Sequence, residues 1–340
     1  MGESTQRRPQ PARAPAPAGR PEARGAPRSR HYAALDLGTN NCRLLIARPQ
    51  GGGFAVVDAF SRIVRLGEGL GATGRLSDAA IGRTLAALQI CAEKLKRRNV
   101  LIARSVATEA CRRAENGPEF IERVYAETGI ALDIISAEEE ARLAVAGCHA
   151  LLEPGDGPAV VFDIGGGSTE LVLVEGDGSK VVVRDWHSAP WGVVSLTEAA
   201  NVAGAGEPLA VYQAMRSQVA AAFAPFAARL PEGATGRRLL GTSGTVTTLA
   251  SVHLGLSVYD RQAVDGLIVP ADAMRGVSAR LAALTVPERA RVPCIGSERA
   301  DLVVAGCAIL ETILDIWPAA RLGVADRGIR EGILKRLMDG

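Results

Sequence analysis

The sequence lacks long apolar runs, paired cysteines and clustered histidines. No apolar run approaches the roughly 20 residues that a membrane-spanning helix needs, so no membrane partner is expected. The six cysteines are dispersed without a C-x-x-C pair, which disfavours a zinc site and a disulfide framework. The four histidines are scattered as well. This pattern predicts a protein of a reducing, cytoplasmic compartment.

Residues 1–30 differ in composition from the rest of the chain. They are rich in Pro, Ala and Arg, show no apolar periodicity and contain no apolar signal-peptide core, so they are predicted to be a disordered basic tail. With seven Arg and two Glu, this tail has a net charge of +5. The whole chain has a net charge of +2, so the remainder is near −3. The tail is interpreted as a solvated arm, and nucleic acid is not an expected partner.

One stretch organises the rest of the sequence. An apolar strand at residues 160–164 carries Asp163, the turn Gly165-Gly166-Gly167-Ser168-Thr169 follows, and a second strand opens at Glu170. Consecutive glycines let backbone N–H groups surround an anion, and the flanking acidic residues indicate a metal accompanying that anion. A β-hairpin that needs glycine only to turn would explain a single such stretch equally well.

A second copy of this pattern occupies residues 32–47. Aligning Asp36-Leu37-Gly38 with Asp163-Ile164-Gly165 places Arg43 on Glu170, and both copies continue through a Gly-rich turn into a third apolar strand. Those third strands are predicted at residues 54–60 and 180–186. A match over this length favours duplication, with two related halves that each open as a three-stranded meander.

Helices and strands alternate after each meander, which predicts mixed sheets flanked by helices. In the first half we predict helices at 77–98, 119–128 and 137–152, and strands at 100–108 and 132–135. In the second half we predict helices at 208–230, 271–284, 300–316 and 329–338, and strands at 238–240, 264–269 and 322–325. The apolar helix 300–316 is interpreted either as core or as a homodimer interface.

Three turns rich in Gly and hydroxyl side chains follow apolar strands, at residues 38–41, 165–169 and 241–245. Such loops bind phosphate through backbone N–H groups and helix N-termini, whose donors are otherwise unsatisfied. None of the three matches the P-loop or the dinucleotide fingerprint. Because two of them lie on duplicated halves, a ligand is expected in the cleft between the halves.

Five motifs in order resemble the exopolyphosphatase and guanosine pentaphosphate phosphohydrolase family, within the actin-like, sugar-kinase and heat-shock ATPase superfamily. They are Asp36-Leu37-Gly38-Thr39-Asn40, residues 108–116, Glu139-Glu140-Ala141-Arg142-Leu143, residues 163–170 and Gly241-Thr242-Ser243-Gly244-Thr245. The resemblance covers nearly everything from residue 32 onward. It implies an α/β fold of two ribonuclease H-like domains, at 31–142 and 143–328, each a mixed sheet flanked by helices. A C-terminal helix at 329–340 would pack back on the first domain.

The resemblance also implies a role for each matching residue. Glu140 matches the general base that activates water, although Glu138, Glu139 and Glu140 all suit a helix N-terminus. Glu170 matches a carboxylate that assists water or metal, and Asp36 and Asp163 match acidic residues near Mg²⁺. The implied phosphate-binding residues are Asn40, Arg112, Gly165, Gly166, Gly167, Ser168 and Thr169. A further phosphate or nucleotide loop would consist of Gly241, Thr242, Ser243, Gly244 and Thr245.

The implied function is Mg²⁺-dependent release of the terminal phosphate of inorganic polyphosphate, or of the γ-phosphate of guanosine pentaphosphate. A kinase of the same superfamily and a non-catalytic sensor of polyphosphate or alarmone are the alternatives. The first turn carries Asn41 where the family usually has Ser or Thr. The chain ends at residue 340, so the C-terminal helical domain of longer members is expected to be absent, which puts processive action on long chains in doubt.

Overall fold

The computed structural model describes Met1 and residues 30–176, 180–204 and 207–339. The predicted basic tail therefore lies outside the described residues, apart from its two ends. Residues 177–179, in the Gly-rich turn after the second strand of the second half, also lie outside the described residues. Within the described ranges, no helix combines the length and the apolar character needed to cross a bilayer.

The first half of the chain forms a five-stranded sheet in the order β3-β2-β1-β4-β5. Its strands are β1 (Tyr32–Leu37), β2 (Asn41–Gln50), β3 (Gly53–Ile63), β4 (Ile102–Ala107) and β5 (Asp133–Ile134). The first three strands are antiparallel, and β4 and β5 continue the sheet in parallel. The predicted meander is therefore confirmed.

The second half forms a six-stranded sheet in the order β10-β11-β9-β6-β7-β8. Its strands are β6 (Ala159–Ile164), β7 (Thr169–Gly176), β8 (Val181–Ala189), β9 (Arg238–Thr242), β10 (Ile268–Pro270) and β11 (Arg321–Ala325). The antiparallel meander β6–β7–β8 is again extended in parallel, by β9 and β11. Apart from the edge strand β10, this order repeats that of the first sheet.

The two opening hairpins also share their detailed geometry. Asp36 pairs with Arg43 across β1 and β2, and Asp163 pairs with Glu170 across β6 and β7. In both turns a glycine N–H donates to the carbonyl oxygen three residues later at 2.9 Å, from Gly38 in the first and from Gly165 in the second. The residue-by-residue match supports duplication of one unit.

Helices cover these sheets, as the alternating pattern predicts. In the first half they are α1 (Leu70–Thr73), α2 (Asp78–Arg97), α3 (Glu109–Arg113), α4 (Gly117–Thr128) and α5 (Ala137–Cys148). In the second half they are α6 (Val193–Ala203), α7 (Pro208–Ala227), α8 (Gly244–His253), α9 (Arg261–Val264), α10 (Ala271–Ala282), α11 (Val286–Ala290), α12 (Val303–Ile316) and α13 (Ile329–Asp339). The apolar helix α12 is almost entirely buried in the core of the second half.

The predicted strand at residues 264–269 is wrong in most of its length. The side chain of Asp260 accepts a hydrogen bond from the N–H of Gln262 at 2.8 Å and starts the short helix α9 instead. Gly266 then adopts a positive φ of 91°, so the chain turns before β10 begins at Ile268. The apolar residues of this segment belong to a short helix and a short strand, so no single hydrophobic periodicity describes them.

The C-terminal helix α13 packs on α5 and on the first sheet. Its buried residues Ile329, Ile333 and Leu334 join Ala34 and Leu45 of that sheet in one apolar cluster. Glycines allow the close crossing, because a Cβ on Gly147 would collide with the carbonyl of Gly328, and one on Gly332 with the carbonyl of Leu143. The C-terminal helix α13 therefore packs against the helix that carries Glu140.

Candidate active site

A cavity of about 130 Å³ lies between the two halves of the chain, several times the volume that one water molecule needs. Residues of all three Gly-rich turns line it, together with five carboxylates, Asp36, Glu109, Glu140, Asp163 and Glu170. The turn residues are Gly38, Thr39, Asn40 and Asn41, then Gly165, Gly166, Gly167 and Ser168, and finally Ser243, Gly244 and Thr245. The fold thus brings together groups that are more than a hundred residues apart in sequence.

The first turn is held by the segment that follows β3. The carbonyl oxygen of Asn40 accepts hydrogen bonds from the N–H groups of Val64 at 2.9 Å and Arg65 at 3.1 Å, and that of Thr39 accepts from Gly67 at 2.9 Å. Asn40 is 8% exposed, and its Oδ1 has no hydrogen-bond partner among the described residues. A buried amide oxygen without a partner at a cavity wall indicates a place for a ligand, an ion or a water.

The second turn is held by the N-terminus of α6. The N–H of Val193 donates to the carbonyl of Gly165 at 3.0 Å, and that of Val194 to the carbonyl of Gly166 at 2.8 Å. The hydroxyl of Ser195 donates to the carbonyl of Gly167 at 3.1 Å. Because these carbonyl groups are engaged behind the turn, the N–H groups of Gly166, Gly167 and Ser168 can serve an anion in the cavity, whereas that of Gly165 closes the turn on the carbonyl of Ser168.

The two turns touch each other at Gly166. A Cβ at this position would lie 2.9 Å from Cβ of Thr39 and 3.0 Å from the backbone nitrogen of Asn40, so only glycine fits. The halves are therefore closed on one another at the phosphate turns in this structure.

The carboxylates of the cavity are deeply buried. Burial raises the pKa of Asp163 to about 6, and the nearby charge of Asp36 contributes. Burial, followed by the charge of Asp163, raises the pKa of Glu170 to about 7 even though Ser168 and Ser188 each donate a hydrogen bond to its Oε1 at 2.8 Å. Burial also raises the pKa of Asp36, while Arg43 opposes the shift. Such a group of anions is stabilised by a cation or by shared protons.

Glu140 lies in the first turn of α5, which Ser136 caps by accepting a hydrogen bond from the N–H of Glu139 at 3.2 Å. Glu140 is 7% exposed, and burial, followed by repulsion from Glu170, raises its pKa well above the usual range. Arg112 donates to its Oε2 at 3.1 Å. A carboxylate with a raised pKa is a stronger base than an ordinary glutamate and is suited to proton abstraction near neutral pH.

Arg112 lies behind Glu140, outside the cavity lining. It donates to Glu109 at 2.6 Å and to the carbonyl of Ile135 at 2.8 Å, in addition to Glu140. Although burial acts in the opposite direction, Glu140 and Glu109 raise the pKa of Arg112. In this structure its guanidinium orients carboxylates, and a role in contacting phosphate stays a prediction.

Three other predicted residues also face away from the cavity. The hydroxyl of Thr169 donates to the carbonyl of Trp191 at 2.7 Å, and that of Thr242 donates to the carbonyl of Arg327 at 2.6 Å. Gly241 lies against the ring of Phe162. Each of these residues supports a turn that lines the cavity, and their predicted contacts with phosphate remain untested.

The structure adds two arginines that the sequence did not single out. Arg43 and Arg299 line the cavity, and Arg299 donates to the hydroxyl of Thr248 at 3.0 Å. The alignment of the two halves could have identified Arg43 as a cavity residue. Arg43 pairs with Asp36 across two strands, as Glu170 pairs with Asp163 in the second half. Arg299 and the N-terminus of α6 had no local signal, since their position depends on tertiary packing.

The donor set around the cavity fits Mg²⁺. It consists of oxygen atoms, from Asp36, Asp163 and Glu170 and from the partnerless amide oxygen of Asn40. In the described part of the chain, no three acidic, His or Cys side chains already converge as a preformed metal centre. Mg²⁺ commonly keeps several water ligands and takes only one or two protein carboxylates, so this arrangement suits it better than zinc.

Comparison with known proteins identifies relatives over most of the chain. The model of the Ppx/GppA phosphatase family matches residues 45–340. Exopolyphosphatase 2 of Mycobacterium tuberculosis is 36% identical over 292 residues, which cover 83% of this chain and 89% of that protein. Guanosine-5′-triphosphate,3′-diphosphate pyrophosphatase of Aeromonas salmonicida is 30% identical over 313 residues, covering 90% of this chain but 59% of that longer protein.

A solved structure shares the architecture as well. The crystal structure of the Aquifex aeolicus member of the Ppx/GppA family is similar with a TM-score of 0.74 and 30% sequence identity. The similarity covers 91% of this chain and 98% of that chain. The two mixed sheets flanked by helices match this architecture.

Proposed function

This chain belongs to the Ppx/GppA phosphatase family, and from that premise we propose that it releases the terminal phosphate of a phosphoanhydride chain by Glu140-activated attack of water. The observation that carries the proposal is the meeting of two Gly-rich turns and the buried carboxylate of Glu140, whose pKa is raised by burial, on one cavity. Relatives named exopolyphosphatase and guanosine-5′-triphosphate,3′-diphosphate pyrophosphatase support this class of substrate.

The chemistry requires a positioned water and neutralisation of charge on the transferring phosphoryl group. Glu140 takes a proton from the water molecule as the water oxygen attacks the terminal phosphorus. The bond from that phosphorus to the bridging oxygen breaks. The shortened chain leaves with the electrons of that bond. Residues of the second turn, Arg43 and Arg299 line the cavity, and their backbone N–H groups and guanidinium groups would balance the phosphate charge.

Asp36, Asp163 and Glu170 are the residues that would hold Mg²⁺, with Asn40 contributing its side-chain oxygen. The ion would supply positive charge for the phosphate oxygens. Ser168 and Ser188 both donate to one oxygen of Glu170, which leaves the other oxygen for a ligand.

Inorganic polyphosphate and guanosine pentaphosphate both present a terminal phosphoanhydride to such a site. We propose short inorganic polyphosphate as the first substrate to test, because the more similar of the two relatives above is named exopolyphosphatase 2.

The test is phosphate release measured side by side from short polyphosphate, long polyphosphate and guanosine pentaphosphate, with and without Mg²⁺. Mg²⁺-dependent release from at least one of them is expected. Transfer of labelled phosphate from ATP to a small acceptor would favour a kinase, and tight binding of every substrate without release would favour a sensor. Either of those results would contradict the proposal.

A further inference from the structure

The segment that follows β3 joins the two halves on the side of the phosphate turns. We call residues 64–69 the strap. Its anchor in the first half is firm, because Val64 and Leu66 are fully buried and Arg83 donates from Nε to the carbonyl of Val64 at 3.0 Å. The strap also carries the first phosphate turn, through the bonds to the carbonyls of Thr39 and Asn40 described above.

Two contacts lead from the strap to the second half. Arg65 donates to Oδ2 of Asp301 at 3.2 Å and to the carbonyl of Glu298 at 3.1 Å. The N–H of Gly69 donates to Oε1 of Glu198 at 2.8 Å. Arg65 has a positive φ of 47°, an uncommon backbone conformation for an arginine, and it directs the chain at this junction.

The partners of the strap are the supports of the cavity in the second half. Glu198 lies on α6, whose first N–H groups hold the carbonyls of the second phosphate turn. Asp301 lies between Arg299 and Leu302, which both line the cavity. The strap therefore contacts the first phosphate turn directly, through backbone hydrogen bonds. It reaches the second turn through α6.

Stability alone does not explain these contacts. The side chains of Arg65 and Asp301 are 33% and 36% exposed, and an ion pair of that exposure contributes little to folding. Their position is more informative, because they connect halves whose phosphate turns touch at Gly166.

We infer that the strap, with Glu198 and Asp301, is a positioning device that holds the two phosphate turns together so that they bind one phosphoryl group jointly. The inference rests on the proposed function of the cavity. When the strap is broken, the halves separate more often, and only the closed fraction binds the phosphate chain. Apparent affinity falls in proportion to that fraction, whereas turnover of the bound, closed complex is retained.

The experiment compares Arg65→Ala and Glu198→Ala with the wild type in Mg²⁺-dependent phosphate release from short polyphosphate. Glu198→Ala is expected to raise KM roughly tenfold, the effect of losing one charge-assisted hydrogen bond, with a much smaller change in kcat. Arg65→Ala, which removes an ion pair that is about a third exposed, is expected to raise KM about two- to fivefold. Glu198→Gln keeps an oxygen acceptor for Gly69 and is expected to restore KM nearly to the wild-type value. Arg75→Ala serves as the matched control, because Arg75 pairs with Glu115 on the surface of the first half.

A measurement without turnover accompanies the kinetics. In small-angle X-ray scattering, Arg65→Ala/Glu198→Ala is expected to have a larger radius of gyration than the wild type, while thermal unfolding stays cooperative. A wild-type KM in Glu198→Ala, or a Glu198→Gln variant as defective as Glu198→Ala, would overturn the inference. If the wild type releases no phosphate from any substrate, the proposed function fails on its own. In that case the inference about the strap is tested by scattering alone. An unchanged radius of gyration in Arg65→Ala/Glu198→Ala would overturn it.

Discussion

At the residue scale, Glu140 differs from its two neighbours by burial. Glu138 pairs with Arg142 and Glu139 with Arg104, and both side chains remain partly exposed, whereas Glu140 is 7% exposed and faces the cavity. All three acidic residues suit the N-terminal turn of α5. The sequence therefore could not choose among them without the family resemblance, since the choice depends on the direction in which α5 meets the second sheet.

Glu140→Gln is expected to lower kcat for phosphate release by about a thousandfold, because the amide cannot accept the proton of the attacking water. The overall shape of the side chain is kept, so thermal stability should change little. Glu138→Gln is the matched control, because it removes an equivalent charge from the same helical turn and is expected to retain activity. A kcat within about threefold of the wild type in Glu140→Gln would exclude this residue as the base.

At the scale of elements, the repeated hairpin was the most predictable feature. The alignment of Asp36 with Asp163 places Arg43 opposite Glu170, and the strand registers of both halves reproduce that match. Local patterns also indicated the cap of α2, where Ser77 accepts from the N–H of Ala80. These features depend on neighbouring residues, which sequence periodicity records directly.

Features that depend on tertiary packing were not predictable in this way. The role of α6 arises where Gly192 packs against Gly165 and Gly166, and the strap acquires its partners only when the halves meet. Thr169 and Thr242 have the composition of phosphate-binding residues, yet their hydroxyls are bound to nearby carbonyls. Composition predicts a phosphate-binding turn, whereas the orientation of each side chain is decided by the fold.

The crossing of α5 and α13 permits an element-scale prediction. Gly332→Ala is expected to destabilise the protein by about 1–3 kcal/mol, because the added methyl group meets the carbonyl of Leu143 at the helix crossing. Urea denaturation monitored by circular dichroism measures the change. Gly276→Ala in α10 is the control, since a Cβ there has no neighbour within 4 Å, and it should stabilise by about 0.5–1 kcal/mol. Equal effects of the two substitutions would refute the close crossing.

At the scale of the whole molecule, duplication explains why a site forms between the halves. Each half contributes one hairpin with an aspartate at its first strand, and the second half also contributes Glu170 at the position of Arg43. The proposed base, Glu140, lies on α5, outside both hairpins, on the helix that connects the halves. The cavity therefore exists only when both halves and the connecting helix are in place.

The buried carboxylates predict a link between Mg²⁺ and pH. The pKa of Glu170 is raised from 4.5 to about 7 and that of Asp163 from 3.8 to about 6. The folded state therefore keeps these protons to a higher pH than the unfolded chain does. Because of this, the free energy of unfolding falls as the pH rises from the ordinary pKa values to the raised ones. Without Mg²⁺, the protein should therefore be less stable at pH 8 than at pH 5. Adding Mg²⁺ should raise Tm by about 3 °C or more at pH 8 and by less at pH 5.

Differential scanning calorimetry at both pH values, with Na⁺ at matched ionic strength, measures this difference. Asp163→Asn/Glu170→Gln removes two of the charges and should abolish most of the response to Mg²⁺. An equal Mg²⁺ effect at both pH values would show that the ion acts elsewhere.

The central claim is that water, activated at this cavity, attacks the terminal phosphorus. Hydrolysis of short polyphosphate in ¹⁸O-labelled water, followed by mass spectrometry of both products, tests it directly. One ¹⁸O atom is expected in each released phosphate and none in the shortened chain. Label in the shortened chain with unlabelled phosphate would show attack of water on the penultimate phosphorus, and absence of label from both products would show that water is not the nucleophile.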